Sequence, residues 1–93
     1  MSSREVHIFS YFSFPTDLAV VFKEWPEFLS GLDYSVDLAT SDEKVSVRLV
    51  ESEEPSYVAV TGQGEGRLFS SVLGAVTHAL AKNSDNLMVD RVK

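Results

Sequence analysis

Three glycines at alternate positions, Gly62, Gly64 and Gly66, stand between the clearest strand pattern in the chain and its longest helical one. The run Tyr57-Val58-Ala59-Val60-Thr61 has the β-branched and aromatic character of a strand. From Arg67 to Lys82, Phe69, Val72, Val76 and Leu80 recur on one helical face, flanked by Leu68 and Leu73. Between them the apolar period changes from two to 3.6, so the expectation is strand, glycine loop over 62–66, then helix. The rest of the fold has to accommodate that junction.

Upstream, Val6 to Phe14 reads as an inner strand. Val6, Ile8, Phe12 and Phe14 share one face, and Phe9 and Tyr11 lie on the other. Ser13-Phe14-Pro15-Thr16-Asp17 is a helix-start signal. Leu18, Val21, Phe22, Trp25, Leu29 and Leu32 then trace a buried helical stripe. Pro26 interrupts it, so the helix should end or kink at Trp25, with a short second turn that Gly31 stops. A meander follows. Tyr34, Val36 and Leu38 alternate with polar residues, Thr40 to Lys44 turns, and Val45, Val47 and Leu49 alternate again. The polar stretch 52–56 leads into Tyr57–Thr61. After the second helix, Asn83 suits a C-terminal cap, and Leu87 to Val92 forms a last short strand. The order β-α-β-β-β-α-β predicts a single α+β domain over residues 1–93. Two helices would pack on one face of a largely antiparallel five-stranded sheet.

Ninety-three residues bury roughly 60–65% of the unfolded surface, which leaves stability modest unless the chain oligomerises. There is no cysteine, hence no disulfide scaffold, thiolate zinc site or cysteine nucleophile. The longest unbroken apolar run, Leu18 to Phe22, is far short of the ~20 residues that cross a bilayer. The start of the sequence lacks the apolar core of a signal peptide. A cytoplasmic protein without membrane contact is the expectation. The net charge of −6 is unevenly spread. Residues 33–65 carry eight acids against Lys44 and Arg48, a net −6, whereas residues 66–93 are net +2. No basic footprint for a phosphate backbone is visible, which argues against direct nucleic-acid binding.

Four sets of residues merit a functional reading. The loop Gly62, Gly64, Gly66 with Arg67 offers free N–H groups at a helix start, a geometry that holds phosphate or carboxylate. Its spacing matches neither the dinucleotide fingerprint nor the P-loop, and Glu65 would repel an anion. The histidines form no triad: Ser71 and His78 are about 10 Å apart along one helix. His7 should be half buried and His78 exposed. No catalytic group, cofactor or metal is assigned, because the acids lack metal-loop spacing. Asp42, Glu43, Glu51, Glu53 and Glu54 read instead as a solvated acidic rim, suited to docking a basic protein. Finally, Phe9 and Tyr11 could join Tyr57 in an aromatic patch on the sheet's outer side.

In length and element order the chain is similar to compact ferredoxin-like modules such as acylphosphatases and small-ligand regulatory domains. An acylphosphatase-like enzyme would place an arginine in the phosphate loop after its first strand. Here that stretch reads Phe14-Pro15-Thr16-Asp17. The expected function is therefore a non-enzymatic interaction or regulatory module, using the acidic meander and the aromatic face. A homodimer through that face or an edge strand would add burial. The alternative is a small-anion or nucleotide binder, or a small enzyme, using Gly62–Arg67.

Overall fold

The structure, a computed structural model, describes residues 3–10, 17–33, 35–51, 56–64, 66–82 and 87–92. Its elements are β1 (Ser3–Ser10), α1 (Leu18–Phe22), β2 (Phe28–Leu32), β3 (Ser35–Ala39), β4 (Glu43–Val50), β5 (Tyr57–Gly64), α2 (Leu68–Ala81) and β6 (Leu87–Arg91). All strands join one sheet in the order β2-β3-β4-β5-β1-β6, and every neighbouring pair is antiparallel. β5 and β6 flank β1 and so run parallel to each other, with α2 as their crossover. β1 is an inner strand.

One face of the sheet makes the core. Val6, Ile8, Val36, Leu38, Val45, Val47, Val58 and Val60 are all buried, and the ladder registers place them on the same side. Both helices cover that side: Leu18, Ala19 and Phe22 come from α1, and Leu68, Phe69, Val72, Val76 and Leu80 from α2. The helical stripe of α2 is thus the buried one, as its spacing implied. Asp17 caps α1, its carboxylate accepting from Ala19 N at 3.0 Å.

The sheet has six strands and not five, because the chain beyond Trp25 is extended. Pro26 cannot donate to a preceding carbonyl, so α1 stops at Phe22. Two turn bonds, Trp25 N to Phe22 O and Phe28 N to Trp25 O, then lead into β2. Leu29 and Leu32, expected on the buried helical stripe, are 65% and 76% exposed, and Gly31 is a strand residue instead of a helix stop. The first strand also starts three residues earlier than expected, at Ser3, and is described as far as Ser10. Tyr11, Phe12 and Phe14 lie outside the described residues.

Gly74 is the one helical glycine whose missing Cβ faces open space, with no atom within 4 Å of where it would stand. Gly74→Ala should therefore stabilise the protein by about 0.5–1 kcal/mol, through helix propensity and a less free unfolded chain. Thermal melting should show the gain as a rise of roughly 2–8 °C.

Candidate functional site

The alternate glycines are explained by what packs on them. Gly62 and Gly64 belong to β5, so the expected loop over 62–66 is strand as far as Gly64. They lie on the helix-facing side, opposite Val45 and Glu43 of β4. A Cβ at Gly62 would stand 2.5 Å from the Phe69 ring, and one at Gly64 2.3 Å from the carbonyl oxygen of Asp42. Gly66 follows the strand, where a Cβ would stand 2.2 Å from Glu43 Oε1. The spacing of two is the pleat of a strand making room for the start of α2.

Into that room goes Glu43. It is 3% exposed, which removes it from the solvated rim where the sequence reading placed it. It shares the parity of Val45 and Val47 and so points to the core face. Leu68 N donates to its Oε1 at 2.9 Å and Phe69 N to its Oε2 at 2.8 Å. Arg4 completes the arrangement. Its Nη2 donates to Glu43 Oε2 at 3.0 Å and to Gly66 O at 3.3 Å, and its guanidinium lies 4.7 Å from the Phe69 ring centroid. The first turn of α2 thus carries an anion from within the chain, matched to the helix dipole. Arg67 makes no side-chain cap, because Glu43 supplies the cap across 25 residues of sequence. A depression of about 460 Å³ opens beside this turn, with Trp25, Asp42, Arg67 and Ser71 in its wall.

The opposite face of the sheet is covered by no described helix. Along it, the registers align Val50, Tyr57, Phe9 and Met88 in a row across four strands. The Phe9 and Tyr57 rings are 5.3 Å apart, so the structure brings these two together. It adds His7, whose ring stacks on Tyr57 at 4.2 Å and 22°. The Nε2–H of His7 donates to Glu5 Oε2, which holds the imidazole in place. The next row contains Asp90, His7, Ala59 and Arg48.

Among the described residues of the expected rim, the exposed acids are far apart. Asp42 and Glu51 are exposed at opposite ends of β4, on the order of 25–30 Å apart by strand rise. Glu53 and Glu54 lie outside the described residues. Asp37 of β3 is engaged by Arg48, whose Nη2 donates to Oδ1 at 2.9 Å, and by Ser46 at the same distance. Burial raises the Asp37 pKa, but hydrogen bonds from Arg48, Ser46 and Ser30, with the charge of Arg48, outweigh it and hold the carboxyl below its usual range. A folded-state pKa below the unfolded value gives stability that is present above about pH 4 and lost as pH falls through the folded pKa. Asp37→Asn should therefore flatten the acid limb of a stability–pH curve and slightly lower stability at neutral pH. The change is small, since the pair is solvent-screened.

His78 is exposed on α2, and His7 is half buried. Among the described residues no group of three or more His, Cys, Asp or Glu is placed to hold a metal ion, and no helix is long and apolar enough to cross a membrane. Sequence reasoning missed Arg4, set Glu43 in a solvated rim, and gave the half-buried His7 no place in the aromatic patch. A signal for Glu43 was present in its period-two phase with Val45 and Val47.

Comparison with protein-family models, curated proteins and solved structures finds no significant match to this chain.

Proposed function

We propose that this chain is a non-enzymatic protein-interaction module that docks a partner on the open outer face of its sheet. The observation that carries this is the packed cluster of His7, Phe9 and Tyr57 on a face that no described helix covers, continued by Val50 and Met88. Preordered aromatic rings on rigid strands give large contact area at little entropic cost, and such residues dominate binding energies. Two carboxylates adjoin the cluster, Glu5 beside His7 and Asp90 opposite it. Arg48, in the adjoining row, is already matched by Asp37. The fitting partner is a protein presenting an apolar or aromatic anchor flanked by Lys or Arg.

Affinity capture with the immobilised protein tests this. Tyr57→Ala should weaken binding by about 2 kcal/mol, roughly thirtyfold, and Phe9→Lys should abolish it. Ser70→Lys on the exposed side of α2 should leave it unchanged. Raised salt should also release the partner. Retention that is equal for wild type and Phe9→Lys would reject the outer face as the docking surface.

A further inference from the structure

The sheet ends at β6, and the direction of that edge's hydrogen-bonding groups can be derived. Val92 N donates to Glu5 O at 2.9 Å, so Glu5 and Val92 form a hydrogen-bonded pair. Antiparallel alternation then makes Asp90–His7 and Met88–Phe9 hydrogen-bonded pairs as well. Leu87, Val89 and Arg91 consequently direct their N–H and C=O groups away from β1, toward an edge that no described strand covers. Natural edges are blunted by short length, charged side chains, proline or bulges. Leu87–Arg91 is short and carries Asp90 and Arg91, but these are of opposite sign, and it has no proline, no lysine and an unbroken register with β1. Met88 and Val89 are each about half exposed, at 48% and 51%. The other edge is different: β2 carries a register shift between Phe28 and Ser30, which disrupts a ladder.

Charge points the same way. A net −6 opposes self-association in general. The excess sits in residues 33–65, however, while residues 66–93 are net +2. β4 is three strands from β6, about 14 Å at ~4.8 Å per strand, beyond the ~8 Å screening length of physiological salt. β6 itself is neutral, with Asp90 against Arg91, so two copies can meet there without the repulsion of the acidic third.

We infer that a second copy of this chain adds to β6, antiparallel, about a two-fold axis at Val89, so that both sheets become one. Outward-facing residues must meet outward-facing residues, which restricts the axis to a few positions. At Asp90 it would oppose two carboxylates, which is destabilising. At Met88 it leaves Arg91 without a partner among the described residues. At Val89, Leu87 faces Arg91 of the other copy, Val89 faces its equivalent, and every outward group of β6 is paired. On the outer face Met88 then lies against Asp90 of the other copy. This dimer stands on edge geometry and is independent of the docking face.

Sedimentation equilibrium over a concentration series, with residue-resolved amide exchange, tests it. The wild type should dimerise, and the amides of Leu87, Val89 and Arg91 should become as protected as those of Met88 and Asp90. On dilution the alternate pattern should return. Val89→Pro removes an outward N–H and spares the β1 ladder. Val89→Lys sets like charges at the axis without altering the backbone. Both should be monomers with unchanged circular dichroism, whereas Phe9→Lys should remain dimeric. A wild type that stays monomeric at high micromolar concentration overturns the inference. So does a dimer whose Val89 amide exchanges freely, or one that survives both Val89 substitutions or is dissociated by Phe9→Lys.

Discussion

Glu43→Ala should destabilise the protein by about 2–5 kcal/mol, chiefly the cost of leaving two buried helix amides unmet. Total stability for a chain of this length is about 5–14 kcal/mol, so the variant approaches unfolding. The loss is large because three donors depend on one carboxylate. Leu68 N and Phe69 N are buried at the start of α2, and the guanidinium of Arg4 is partly buried beside them. Alanine leaves all three without it, and each unmet buried donor costs about 1–3 kcal/mol. Glu43→Gln keeps one acceptor but turns an amide NH₂ toward the remaining donors, and should cost about 2–3 kcal/mol. Urea titrations should show lower midpoints at constant slope. Gly66→Ala provides a cross-check. Its Cβ would press on Glu43 Oε1, which its donors hold in place, so it should cost about 1–3 kcal/mol in the wild type and much less in Glu43→Ala. Additive effects would mean that Gly66 does not serve Glu43.

Gly64→Ala should cost about 3 kcal/mol or more, for two reasons that add. Gly64 has φ 109°, a conformation that an L side chain adopts only with strain of about 1–3 kcal/mol. Its Cβ would also stand 2.3 Å from the carbonyl oxygen of Asp42, a backbone atom of the opposing turn that cannot rotate away. Gly62→Ala lacks the first penalty and meets a side chain, Phe69, so it should be milder. Melting temperatures should order Gly74→Ala above wild type, then Gly62→Ala, then Gly64→Ala. If Gly64→Ala melts with the wild type, the close approach of β5 to the turn before β4 is not a constraint on this fold.

Some of the fold was legible because periodicity reports direction. Val36 and Leu38, Val45 and Val47, Val58 and Val60, and the stripe from Phe69 to Leu80 all point where their spacing says they point. The same reasoning failed between Trp25 and Leu32. There, apolar residues continued the i, i+3, i+4 pattern past Pro26, but the proline had removed the hydrogen bond that the pattern needs. Pairing with β3 then gave those residues an extended partner. At the site, Phe9 and Tyr57 were visible as aromatic residues off the core face. That they touch, with His7 between Glu5 and the Tyr57 ring, follows from the register of β1 on β5.

The sequence by itself determined the α+β class, the core face of each inner strand, the buried stripe of α2 and the acidic middle third. Each of these is a property of neighbours in the chain. Only the tertiary structure decided what the alternate glycines are for. Gly62, Gly64 and Gly66 first suggest a cradle for a foreign anion, and the anion they accommodate is Glu43, held by Arg4 from 39 residues away and by the first amides of α2. The physical reason is that spacing fixes the face on which a side chain emerges, whereas its partner is chosen by strand register. Register is set by the sheet as a whole.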